Sequence, residues 1–207
     1  MPLCLALLGA LLGLSAGATA AEHNEQLLFA EPDGWHEVYG DLDENLATTE
    51  YVPEGQDGDD WREMLTVQIL LGEANADPDT MLSRIAVHLG KQCPEFDVQP
   101  VELGGVDAHP TLAVIMRCGR NPDSGRGDFI LLRGIAGEQN FYLLQKAWQV
   151  EPYALDGPSP VSLDERKLWL GFLAYQRICD PAREQCPVGK RLGGPADDDA
   201  ERTDSAE

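Results

Sequence analysis

Residues 127–150, GDFILLRGIAGEQNFYLLQKAWQV, hold two apolar runs of strand length, 129–135 and 140–150. A short polar turn, Ala136-Gly137-Glu138-Gln139, separates them, and this is the pattern of a β-hairpin. The second run alternates. Phe141, Leu143, Gln145, Ala147 and Gln149 fall on one face, and Tyr142, Leu144, Lys146, Trp148 and Val150 on the other. Both faces carry large apolar groups, which predicts a hairpin at the centre of a sheet covered on both sides.

The rest of the chain arranges itself around that hairpin. Residues 21–31 are polar apart from Leu27, Leu28 and Phe29, which read as a single helical turn. Pro32-Asp33-Gly34 signals a turn. Residues 35–40 alternate as a first strand, with Trp35, Glu37 and Tyr39 on one side, and 46–52 form a second. The acidic loop PEGQDGDD leads to a third strand over 61–71, whose centre, MLTVQILL, suits an interior position. Asp77-Pro78-Asp79 then opens a helix: Asp77 caps, Pro78 fits the first turn, and Asp79 complements the positive end of the helix dipole. Met81, Leu82, Ile85 and Leu89, with Val87, form its apolar side, and Gly90 reads as its stop.

Strands follow over 96–103, where Pro100 interrupts, and over 111–117. After the hairpin, a Pro- and Gly-rich connection (152–160) leads to Ser162-Leu163-Asp164-Glu165, a capping-box sequence. The helix it starts extends to about residue 177 and turns Leu168, Trp169, Phe172, Leu173 and Tyr175 mostly inward. The order predicts an α+β domain over 21–186: a single antiparallel β-sheet of six to seven strands flanked by two helices, an α/β/α sandwich. Residues 187–207 hold three basic and six acidic residues and few apolar ones, the composition of a disordered acidic tail.

The first residues change the picture from architecture to compartment. Residues 2–20 are uncharged, rich in Leu, Ala and Gly, and end Ala18-Thr19-Ala20 before Glu22. This predicts a secretory signal peptide over 1–20, cleaved after Ala20, although no Lys or Arg precedes the apolar run. An uncleaved anchor is the rival, since the run is about as long as a short membrane span. The glycines and the small-residue end favour cleavage, so the mature protein is expected in the periplasm or secreted, with no membrane span.

Cysteine usage agrees with export. Beyond Cys4 there are four: Cys93, Cys118, Cys179 and Cys186. An even count in an exported chain reads as two disulfides, and the preferred pairing is Cys93–Cys118 with Cys179–Cys186. The second pair lies seven positions apart across a Pro-containing loop and needs no long-range coincidence. Loop-closure entropy suggests stabilisation of about 3.5 kcal/mol for the longer loop and about 2.5 kcal/mol for the shorter. A four-cysteine zinc site would want C-x-x-C knuckles, and none is present.

The formal net charge is -21, and about -18 remains once the tail's -3 is removed, so the acidity belongs mainly to the folded domain. Such a surface repels nucleic acid and anionic lipid. It would attract basic proteins or divalent cations, or serve solubility alone.

Candidate chemistry is sparse. The four histidines, His23, His36, His88 and His109, have no metal-ligand spacing. No GxSxG, P-loop or dinucleotide fingerprint occurs. His109, in a Gly-rich turn beside Asp107, is the nearest approach to a poised imidazole. Asp41, Asp43 and Asn45 match the first positions of an EF-hand loop, but Leu46 stands at the glycine position and Val52 at the bidentate acid. Asp57, Asp59 and Asp60 form a second acidic loop, for which solvation is the default reading. No metal or cofactor is expected. Trp35, Tyr39 and Trp61 are candidate partner contacts if they are exposed, and core residues if they are not.

Several features in series resemble a known group. They are the Gly34-Trp35 start, the Thr66-Val67-Gln68 strand, the Asp-Pro-led helix, the turn Gly104-Gly105-Val106-Asp107-Ala108, the two-strand hairpin and a closing helix with Phe172. In that order, over about residues 27 to 178, they are similar to the PsbP-like superfamily of α/β/α sandwiches. The segment around Trp61, Glu63, Met64 and Thr66-Val67-Gln68 also resembles uncharacterised exported bacterial proteins of similar length. The superfamily resemblance implies assembly, binding or accessory roles and supplies no catalytic residues. The expectation is therefore an exported, non-catalytic binding or accessory protein of the bacterial envelope with a protein partner. The alternative is an envelope hydrolase with a dispersed site near His109 and Asp107.

Overall fold

The computed structural model describes residues 25–103, 109–181, 183, 185–186 and 190–192. In chain order the elements are β1 (Gln26–Phe29), β2 (Trp35–Leu42), β3 (Leu46–Pro53), β4 (Glu63–Leu70), α1 (Pro78–Gln92), β5 (Phe96–Val101), β6 (Thr111–Cys118), β7 (Gly127–Ala136), β8 (Phe141–Val150), α2 (Leu163–Tyr175), β9 (Arg177–Cys179) and β10 (Lys190–Leu192). Seven strands form one antiparallel sheet in the order β2-β3-β4-β8-β7-β6-β5. The fold is α+β, as the pattern predicts. The β7–β8 hairpin lies at its middle, which is why both faces of β8 are apolar: Phe141, Tyr142, Leu143 and Leu144 are all buried.

A second, smaller antiparallel sheet, β10-β1-β9, is the main departure from a single sheet. Leu27, Leu28 and Phe29 are a strand, not a helical turn, because they pair on both sides. Leu27 and Phe29 are sealed in the core, and Phe29 stacks on Tyr51 at 5.3 Å. Lys190–Leu192, within the segment read as a tail, supplies one of β1's partners. The cleavage site, residues 104–108 and most of 187–207 lie outside the described residues.

Each face of the large sheet has its own core. One contains Tyr51, Leu65, Val67, Ile69, Phe129, Leu131, Leu144 and Trp148, covered by Trp169 and Leu173 of α2 and by β1. Such side chains contribute about 1.5–3 kcal/mol each on burial. The other, under α1, gathers Leu82, Val114, Met116, Leu132, Phe141 and Leu143. Leu168 and Tyr175 of α2 and Val87 of α1, read as inward, are 69%, 78% and 60% exposed.

Helix starts follow the sequence, while their ends and inner contacts differ. The Asp77 carboxylate accepts from the N–H of Thr80 at 3.0 Å, as a cap should. Gly90 does not end α1. The helix runs on to Gln92, and a Cβ at Gly90 would stand 3.2 Å from the Phe96 ring, so the glycine serves close packing. Ser162 accepts from the N–H of Glu165 at 3.2 Å, but the Glu165 carboxylate takes the indole N–H of Trp148 at 2.7 Å rather than closing the box. α2 has no basic residue in its last turn. Arg133 of β7 serves instead, donating through Nη1 to the carbonyls of Leu173 and Gln176, both at 2.6 Å.

Two disulfides close as expected. Cys93 joins Cys118, and Cys179 joins Cys186, each with Cα atoms 5.9 Å apart. The first ties the end of α1 to the end of β6, and the second follows β9.

Candidate functional site

The two faces of the large sheet are covered unequally, and the site follows from that. α1 packs mainly over β5, β6 and β7. Beside it, over β3, β4 and β8, a groove of about 710 Å³ remains open. Leu46, Leu70, Phe141 and Leu143 make its sheet side, and Met81 and Ile85 its helix side. The connection after β4 adds Leu71, Gly72 and Glu73 to the lining. That connection is held firmly: Asn140 accepts from the N–H of Gly72 at 3.1 Å, and the N–H of Leu71 donates to Asn45 at 2.9 Å. Gly72 has φ +77°, a conformation that favours glycine. Asn45, Gln68, Glu73 and Arg84 are the polar lining. A cleft of this size with a mostly apolar wall and a few polar groups has the character of a ligand site.

The opposite face is sealed around charge. Lys146 of β8 is fully buried. Its Nζ donates to Glu63 Oε2 at 2.9 Å and to the Ala147 carbonyl at 3.2 Å. It also lies 3.9, 4.8 and 5.0 Å from the ring centroids of Trp148, Trp169 and Trp35. Cation–π attraction offsets part of the cost of that burial. Burial nevertheless pushes the Lys146 pKa down from 10.5 to about 8, against the pull of Glu63 and Glu165. An amine titrating there would be reactive if reachable, but its side chain has no exposed area. It organises the core.

Glu25 holds the hairpin turn. Its carboxylate accepts from the backbone N–H of Glu138 at 2.7 Å, of Asn140 at 3.3 Å and of Gln139 at 3.4 Å, and from the Tyr142 hydroxyl at 3.0 Å. Burial drives the Tyr142 pKa far above its ordinary value, and the nearby carboxylate adds to this. A Cβ at Gly137 would fall 2.1 Å from Glu25 Oε1, so only glycine fits there.

The residues singled out from sequence do not come together. Trp35 is half-buried and packs edge-on against Trp169 at 5.0 Å, so it joins the core rather than a contact surface. Tyr39 is 49% exposed. A register shift between Glu37 and Tyr39 pairs Tyr39 with Glu50, whereas Glu37 pairs with Tyr51. Tyr39 therefore faces away from Trp35, not alongside it. Trp61 is half-buried in the loop before β4. His109 is half-buried, and its expected partner Asp107 lies outside the described residues. Asp57 uses one carboxylate oxygen to accept from the N–H of Asp59 at 3.0 Å and of Asp60 at 2.9 Å, so it orders its own loop. Among the described residues, no three His, Cys, Asp or Glu side chains gather as a metal would require. No described helix is long and apolar enough to cross a membrane.

Sequence reasoning missed the groove and the buried cations. Arg84 carried no motif. Lys146 was visible only as a charge on an otherwise apolar strand face, next to Trp148. No protein-family model matches the chain, and no curated protein matches it significantly.

Proposed function

We propose that this chain is an exported, non-catalytic binding or accessory protein of the bacterial cell envelope. It is delivered by a signal peptide cleaved after Ala20 and works through a protein partner. The observation that carries the binding part of the reading is the preformed groove between α1 and β3-β4-β8, on a face whose other half α1 covers. The two disulfides support an oxidising compartment. The order of strands and helices supports kinship with the PsbP-like superfamily, which we offer as part of the same proposal. Tyr39, exposed on β2, is the contact residue retained from the sequence reading, and its ring suits a partner's apolar patch.

The test is a pull-down from envelope extract with mature protein beginning at Ala21, at low and at moderate salt. One stoichiometric partner that survives moderate salt and is weakened by Tyr39→Ala is expected. Recovery of basic proteins only, all lost as salt rises, would sink the partner reading, because screened surface charge alone would then explain the capture. Sequencing the N-terminus of exported protein checks the cleavage site, and a mature chain still carrying residues 1–20 would overturn it.

A further inference from the structure

We infer that the groove binds an amphiphile with one apolar chain and a carboxylate head, with the head at Arg84. The inference rests on the binding-protein reading and supplies the chemistry of its ligand. Leu46, Leu70 and Leu143 on the sheet and Ile85 on α1 offer an apolar surface to the chain. The open volume, about 710 Å³, suits a small molecule better than a helix of a partner protein. Arg84 lies next to Ile85 on α1 and is exposed. It is the one cation lining the groove, and it makes no ion pair among the described residues.

The head group follows from charge. A guanidinium matches a carboxylate with two parallel hydrogen bonds. Glu73 lines the same groove and does not pair with Arg84. Its charge, on a chain of net charge -21, disfavours a doubly charged head such as a phosphate monoester. The one guanidinium can neutralise one carboxylate, and Glu73 in the same lining opposes any further negative charge. The amides of Asn45 and Gln68 add neutral donors to the lining.

The test uses the mature chain and dodecanoate as probe, below its micelle-forming concentration, by titration calorimetry. Dodecanol and dodecyl phosphate serve as comparisons. Saturable one-to-one binding of dodecanoate is expected. Arg84→Gln should weaken it by about tenfold, as expected for one charge-assisted contact, and leave dodecanol unchanged. Leu46→Trp should fill the groove and abolish binding of both. Arg84 is exposed, so that variant should fold even if Leu46→Trp does not. No saturable binding overturns the inference, and so does an affinity that Arg84→Gln leaves untouched. If dodecanoate fails while the envelope pull-down still recovers its partner, only the ligand falls. If dodecanoate binds and no partner is recovered, the accessory role falls and the groove's chemistry stands.

Discussion

Replacing Lys146 with methionine should leave the protein as stable or more stable at neutral pH, and should remove an alkaline rise in stability. Methionine keeps the unbranched stem and deletes the ammonium. In the native protein that ammonium is fully buried, with one carboxylate oxygen at 2.9 Å, one carbonyl at 3.2 Å and three indole rings around it. Its pKa falls from 10.5 unfolded to about 8 folded. Between those values the unfolded chain holds the proton and the folded one has released it, so stability rises with pH. Each pKa unit corresponds to about 1.4 kcal/mol, which makes the whole effect about 3 kcal/mol. Between about pH 7.5 and pH 9.5 the rise should be about 2 kcal/mol. Below about pH 7.5 both states are protonated and the cost is present in full. The rings and Glu63 offset that cost, so the gain from Lys146→Met at about pH 7 is expected between zero and about 2 kcal/mol. Glu63 is about one-third exposed, so once unpaired it can be hydrated. Tyr142 and Tyr153, both held neutral by burial, contribute stability that is lost at pH above the ordinary tyrosine range in either variant, so the comparison cancels them. The assay is urea unfolding followed by tryptophan fluorescence across that pH range, for the native protein and the variant. A variant losing more than about 1 kcal/mol at pH 7, or one keeping the native slope, would refute the account, because the ammonium would then be a net stabiliser or not the titrating group.

Further outcomes follow from the same physical arguments. Glu25→Ala should cost about 1–3 kcal/mol, since it leaves buried N–H donors at the hairpin turn without their acceptor; thermal unfolding reads this. Gly137→Ala should destabilise by a comparable amount in the native protein and by somewhat less in the Glu25→Ala background, because that change removes the clash with the Glu25 carboxylate but leaves the one with the Asn140 carbonyl, 2.8 Å from the added Cβ. Additive losses would mean that the glycine is needed for some other reason. Removing Cys93–Cys118 by paired serine substitutions should cost about 3.5 kcal/mol, and removing Cys179–Cys186 about 2.5 kcal/mol. Equal losses would show that loop length does not set the effect. The Arg117 guanidinium holds the Asp97 carboxyl below the usual carboxylate range. Its contribution is therefore complete above the unfolded carboxylate pKa and is lost as pH falls through the lower folded value. Asp97→Asn should flatten the acid side of a pH-stability curve below about pH 4, and an unchanged curve would rule the pair out.

How far the sequence could be read depended on whether a feature was local. The hairpin, the helix starts at Asp77 and Ser162 and the Cys179–Cys186 pair rest on neighbours a few residues apart, or on a periodicity of two, and all stand in the structure; the Cys93–Cys118 pair, 25 positions apart, then follows because those are the two cysteines left. The errors share a cause. Leu27, Leu28 and Phe29 carry too few residues to separate a strand from a helical turn, and what decides is pairing with residues about 150 positions later in β9. Gly90 looks like a stop because glycine often is one, and only the approach of Phe96 reveals its purpose. Tyr39 was put on the wrong face because a register shift alters alternation without leaving a mark in composition.

The groove was hidden for a different reason. Whether an apolar side chain is core or lining depends on what lies above it, and α1 is long enough to cover only part of its face. Leu143 and Phe141 are buried beneath α1 yet also line the groove, so nothing in their identity separates the two roles. Polarity gives the better clue in retrospect. On the α2 side, each charge taken into the core has partners: Lys146 has Glu63 and the indoles, and Arg133 has the end of α2. On the α1 side, Arg84 and Glu73 share a groove without pairing. The proposed ligand site thus lies on the face where these charges are left apart, not on the one whose buried cations are satisfied. It is there, at Arg84, that a change should alter what the protein holds while leaving its stability nearly intact.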